Sequence, residues 1–160
     1  MQVRLLEESK EYFEHNGQNY WEELVEEERK LSERFIYEGN SLSVIASFAP
    51  RGFNEIQFIF KEISSLAELD ERQIADFAGC LVKALKGYKE LGVGSFNLVT
   101  FSGPIDKILD HYRLNAKLIS RPYPSGVYTN DTGPFERLCD AWVIDTLPEI
   151  VAENLRPFFS

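Results

Sequence analysis

The stretch HYRLNAKLISRP (111–122) alternates polar and apolar residues. His111, Arg113, Asn115 and Lys117 share one parity, and Tyr112, Leu114, Ala116 and Leu118 share the other. Successive side chains of a strand point to opposite faces. The pattern therefore predicts a strand with one face in a core and one polar face. Arg113, Lys117 and Arg121 recur every four residues on the polar face, a row of cations suited to a phosphate or other small anion. Carboxylates from neighbouring strands can equally neutralise that row.

Working outward, SFNLVTF (95–101) reads as a strand, followed by a loop with Gly103-Pro104 and a short helical IDKILD (105–110). Upstream, Asp70 with Gln73 three residues on forms a capping box. From it Ile74, Phe77, Ala78, Leu81, Ala84, Leu85, Tyr88 and Leu91 trace one helical face, predicting a core stripe that Gly92 ends. FIYE (35–38) and SLSVIASF (41–48) flank the turn pair Gly39-Asn40, and EIQFIFKEI (55–63) is a strongly apolar central strand. Residues 4–34 read as two helices, divided at Asn16-Gly17. Thr146-Leu147-Pro148-Glu149 predicts a capping box that opens a last helix ending near Arg156. RPYPSGVYTNDTGP (121–134) is a long loop by composition. Strands outnumber crossover helices. The order predicts an α+β domain, a mostly antiparallel sheet of about five strands flanked by helices, built by residues 1–160 as one unit.

Composition narrows the partners. The 160 residues are 44% hydrophobic and include twelve Phe, seven Tyr and two Trp, ample for a packed core. Net charge is −9, a field that repels nucleic acid and anionic membranes. No apolar run approaches the ~20 residues that span a bilayer. Cys80 and Cys139 have no Cys-x-x-Cys partner, so the thiols predict a reducing, cytoplasmic setting and no cysteine metal site. The start, MQVRLLEESKEYFEH, lacks the basic n-region of a signal peptide.

Taken together the pieces resemble the C-terminal half of galactose-1-phosphate uridylyltransferase, a family of the histidine-triad superfamily. The resemblance is carried by YFEHNGQNYWEELVEEERKLSERFIYEGNSLSVIASFAPRGFNEIQFI (12–59), SSLAELDERQIADFAGCLVKALKGYKEL (64–91), GSFNLVT (94–100) and FERLCDAWVIDTLPEIVAENLR (135–156). It covers nearly the whole chain in order and implies a histidine-triad-like fold. The site residues depart from it. Where the family reads His-x-x-Leu-His-x-His, this chain has His111, Leu114, Asn115 and Lys117. A further ligand histidine corresponds to Ser102. The inner histidines bind a metal in some members. An ammonium opposes a cation, so the resemblance implies no metal here. The family's catalytic His-Pro-His belongs to the half that these 160 residues do not match. Its sugar-phosphate segment corresponds to Thr129–Pro134 before Phe135-Glu136, which does not match either.

These readings make Arg113, Asn115, Lys117 and Arg121 the candidate ligand-binding set. Lys117 and His111 are the candidate nucleophiles should the chain be active. His111 as an ordinary packed residue, and Asp106 with Asp110 as a solvated helix face, are the plainer alternatives. The expectation is a uridylyltransferase-family domain without catalysis of its own, cofactor or metal. It would bind a nucleotide or phosphorylated sugar and pair as a homodimer or with a separate catalytic half. The alternatives are an active nucleotidyltransferase using Lys117 or His111, and a purely structural dimerisation domain.

Overall fold

A computed structural model describes residues 2–121, 139 and 141–160 of the chain. Two helices come first, α1 (Gln2–Asn16) and α2 (Tyr20–Leu31). Gly17, at a φ of 68°, breaks the chain between them. Asn19 then starts α2: its Oδ1 accepts from the Trp21 amide at 3.0 Å, and its Nδ2 donates to the Asp110 carbonyl at 2.6 Å. Next come β1 (Phe35–Glu38), β2 (Leu42–Ala46), β3 (Phe53–Phe60), α3 (Glu71–Glu90), β4 (Ser95–Phe101), β5 (Asn115–Arg121) and α4 (Pro148–Leu155). The five strands form one sheet in the order β1-β2-β3-β5-β4, every pairing antiparallel. The α+β expectation and the central place of the 55–63 segment are borne out.

Alternation divides the sheet between two helical layers. Val44, Ala46, Ile56, Phe58, Ala116 and Leu118 face α3 and α4 in the main core. Ile45 and Ile59 face the other way, under Trp21 and Val25 of α2 and beside Tyr112. Gly87 lets α3 approach α4 closely, because a methyl there would overlap Leu155 and Phe158. The Tyr88 hydroxyl, fully buried, donates to the carbonyls of Asn54 and Leu118, tying α3 to two strands at once.

Four local expectations need correction. The polar-apolar alternation begins at 111, yet β5 begins at Asn115, because Asp110 and His111 lie in a turn closed by the Tyr112 amide on the Leu109 carbonyl. Residues 105–110 form no helix. Their i, i+3, i+4 apolar spacing imitates one, but six residues behind Pro104 cannot offset the cost of nucleation. The last helix is capped by Leu147, which has no side-chain cap bond, rather than by Thr146. The residue before a proline is driven to extended backbone, and Leu147, at φ −64° and ψ 141°, takes the cap position for that reason. Finally, α3 carries more apolar surface than it buries: Cys80, Ala84, Gly87 and Tyr88 are buried, whereas Ile74 stays 52% exposed and Leu91 40%. Burial pushes the Cys80 thiol up to about 11, so it packs as a small apolar group.

Candidate functional site: a chamber over a neutralised lysine

β3 and β5 pair with Gln57 opposite Lys117 and Ile59 opposite Asn115. That register turns Glu55 and Gln57 of β3, with Asn115 and Lys117 of β5, toward the α1–α2 side. The Glu55 side chain is buried, 2% exposed, and accepts from Lys117 Nζ at 2.7 Å. Its second oxygen accepts from the Arg51 amide at 2.7 Å. A carboxylate survives burial only when paired and hydrogen-bonded, and both conditions hold here. Asn115 is fully buried, and its amide is engaged at both ends. Nδ2 donates to the Tyr112 hydroxyl at 3.2 Å and the Arg113 carbonyl at 3.0 Å, while Oδ1 accepts from Gln57 Nε2 at 3.3 Å.

Above this floor lies a chamber of about 710 Å3. Its walls include Tyr20, Trp21, Leu24 and Phe101, and its rim carries Arg4, Arg51 and Trp142. The Arg51 guanidinium stands 5.7 Å from the Trp142 ring centre, a cation–π contact at the mouth. Trp21 is 3% exposed, its ring set edge-on to Tyr112 at 5.6 Å. Its Nε1 is buried and has no hydrogen-bond partner among the described residues. Burial also raises the Tyr20 hydroxyl above its ordinary value, with Glu28 and Glu8 adding to the effect.

The sequence candidates meet different fates. Lys117 lines the chamber, and Asn115 lies buried beneath it, bonded to Gln57. Arg113 turns to α2 instead, donating to Glu22 from Nη2 at 2.6 Å and Nε at 3.2 Å. Arg121 sits exposed at the far end of β5, opposite Ser95. A strand advances ~3.3 Å per residue, so the row from Arg113 to Arg121 spans roughly 26 Å and cannot converge on one phosphate. His111 lies in the turn before β5 with its ring 6.4 Å from Phe13, and burial lowers its pKa. It does not line the chamber. Ser102 staples a loop, accepting from the Leu66 amide at 3.0 Å and donating to the Gly103 carbonyl at 2.8 Å. The Thr129–Glu136 stretch lies outside the described residues.

The residues at the positions that the resemblance aligns with metal ligands do not fit a metal. The Asn115 amide is spent on structure, and the Lys117 ammonium already occupies the Glu55 carboxylate. No group of three or more His, Cys, Asp or Glu side chains is placed to hold a metal among the described residues. Likewise, no helix among them is long and apolar enough to cross a membrane.

Glu55 and Trp21 are the site residues that sequence reasoning missed. Glu55 and Gln57 interrupt the apolar β3 at alternate positions, matching the alternation of Asn115 and Lys117. Two strands with the same polar parity signal a shared polar face. Trp21 reads in sequence only as part of a helical core stripe.

Comparison with known proteins now gives this geometry its setting. No family model matches the sequence. An uncharacterized protein of Archaeoglobus fulgidus is 30% identical over 150 residues, covering 94% of this chain and 44% of the relative. A solved uridylyltransferase superposes with a TM-score of 0.83 at 21% identity, over 99% of this chain and 50% of its own. A GalT-like protein from Arabidopsis thaliana gives 0.72 at 26% identity, over 94% and 48%. A zinc-bound histidine triad family protein from Mycobacterium smegmatis gives 0.54 at 14% identity, over 78% and 82%. The chain therefore has the histidine-triad fold. Its fold is the one shared with the uridylyltransferase and GalT-like structures, in line with the resemblance, and the chain spans about half the length of those it matches.

Proposed function

We propose that residues 1–160 form one nucleotide- or nucleotide-sugar-binding domain of the uridylyltransferase kind that does no chemistry alone and works as half of a pair. The observation that carries the reading is the chamber of about 710 Å3 over the Lys117–Glu55 pair, within the size range of small-ligand sites. Neither candidate nucleophile is set up for transfer: the Lys117 ammonium is tied to Glu55, and His111 stands away from the chamber. Of the proposed ligand set, Lys117 meets the ligand and Asn115 fixes the floor beneath it, while Arg113, paired to Glu22, and Arg121, at the far end of β5, stand outside it. Calorimetric titration with UDP-glucose tests this. Saturable heat is expected, with affinity falling about ten-fold or more in Lys117→Ala, as for loss of a charge-assisted hydrogen bond. Equal heats from both proteins would remove Lys117 from the site, and turnover of UDP-glucose by the chain alone would overturn its inactivity.

Pairing draws support from the sheet edge. β4 pairs with β5 on one side, and its outer edge has no strand partner among the described residues. It leaves Phe96 44% and Val99 50% exposed. A seven-residue apolar edge is a template for another strand. We place a second copy there, with a separate catalytic half as the alternative occupant. Light scattering across a concentration series is expected to show a dimer that Phe96→Lys weakens, a position on β4 that does not line the chamber. A monomer at every concentration would overturn self-pairing.

A further inference from the structure

The two helices on the chamber side are held in different ways. α2 buries Trp21 and Val25, and Asn19 pins its start to the Asp110 carbonyl at 2.6 Å. α1 is lightly held. Its inner apolar residues, Leu5, Leu6, Tyr12 and Phe13, are only half-buried. Leu5 and Leu6 rest on the cluster of Trp21 and Tyr112. Ser9, the one fully buried side chain described in α1, donates to its own helix at the Leu5 carbonyl. The Tyr12 hydroxyl donates to Glu23, and the Tyr12 ring meets Tyr20 edge-on at 5.4 Å. A helix of 15 residues is marginal without tertiary packing, so light docking makes α1 the element that opens most readily on this side. Gly17 joins the two helices in left-handed backbone, with nothing within 4 Å of where a side chain would stand. Yet α1 is part of the chamber: Arg4, Leu5 and Glu8 form one of its walls. The Arg4–Glu8 ion pair, 2.7 Å, lies within the helix and moves with it.

We propose that α1 is a hinged wall of the chamber. It pivots at Gly17 as a unit and draws Arg4, Leu5 and Glu8 away, while α2 and the sheet stay in place. Opening uncovers the Trp21–Tyr112 cluster and the approach to Lys117. Resting on the reading of this chamber as the ligand site, a ligand filling it meets the wall only when α1 is closed, so occupancy favours the closed form.

Hydrogen exchange of the full chain, resolved by residue, reads the motion. Amides from Leu6 to Phe13 are expected to exchange through one shared opening, with α3 and the central strands still protected. Exchange of α1 no faster than that of α3 would overturn the proposal. So would fast exchange confined to the first turn, which is fraying. Leu6→Ala removes a docking contact outside the chamber. It should speed exchange across α1 about ten-fold and leave α3 unchanged. Equal acceleration of α1 and α3 would mean that α1 opens only with the whole chain, and would overturn the hinge. Should that variant fail to fold, Tyr12→Phe keeps the ring, loses the bond to Glu23, and should speed α1 about five-fold. Unchanged α1 exchange in Tyr12→Phe would overturn the proposal too. Saturating UDP-glucose should slow α1 in the wild type. Calorimetric heat without that slowing would overturn α1 as a gate and leave the nucleotide-sugar reading standing. A shared opening of α1 with neither heat nor slowing would support the hinge and overturn that reading.

Discussion

Arg34→Ala is expected to destabilise the chain by about 3–5 kcal/mol, the cost of leaving a buried charge without its partner. Arg34 sits between α2 and β1 with its side chain 11% exposed. Nε donates to Glu28 at 2.9 Å, and Nη1 donates to Glu149 at 2.7 Å. Glu28 belongs to α2 and Glu149 to α4, on opposite sides of the sheet, so one guanidinium links both helical layers around the β1 edge. The Glu28 side chain is 4% exposed, and its Oε2 has no partner among the described residues, so nothing there takes over when Arg34 is removed. The Arg34 hydrogen bond also holds the Glu149 carboxyl below its ordinary range. Urea denaturation reads the loss. The double variant Arg34→Met with Glu28→Leu should recover most of it, because a packed apolar pair of similar volume replaces a buried ion pair at little cost. A loss under about 1 kcal/mol for Arg34→Ala would mean that solvent reaches Glu28 and that the link behaves as a surface pair.

Phe58→Ala should cost a comparable about 3–5 kcal/mol by another route, lost transfer energy plus an unfilled cavity. Phe58 has no exposed surface, lies on the central strand opposite Val44 and Ala116, and meets Phe77 edge-on at 5.3 Å. Ordinary domains hold about 5–15 kcal/mol in total, so either variant removes a large fraction. For Phe58→Ala the denaturation midpoint should move while the slope stays constant, since the surface exposed on unfolding hardly changes. A cost below about 2 kcal/mol would mean that α3 settles into the gap.

Local patterns carried most of the fold into view. The strands at 35–38 and 95–101 fall where alternation puts them, and Asp70 with Gln73 forms the reciprocal cap its spacing predicts. The misreadings have local causes too. Leu147 became a cap because proline follows it, and 105–110 imitated a helix over too short a run. The site was harder to see because it depends on register. Lys117 meets Glu55 across 62 positions of sequence, and the strand pairing that joins them cannot be read from either segment alone. For the same reason Arg113, Lys117 and Arg121 read as one row in the sequence, although the structure sends the first to α2 and leaves the last at the far end of the strand.

β3 carries one extra residue between Phe53 and Ile56, where Asn54 adopts a φ of 51° and donates to the Ser120 hydroxyl at 3.0 Å. The irregularity takes in Asn54 and Glu55, and strand pairing is regular from Ile56 onward. It works as a phase shifter for the 49–53 loop. Adding or losing one residue there would turn that loop by half a strand period and lift the Arg51 amide from Glu55, leaving the Gln57–Lys117 register intact. A lineage could therefore refit the mouth of the chamber through single-residue length changes at position 54, with the Gln57–Lys117 register inherited unchanged.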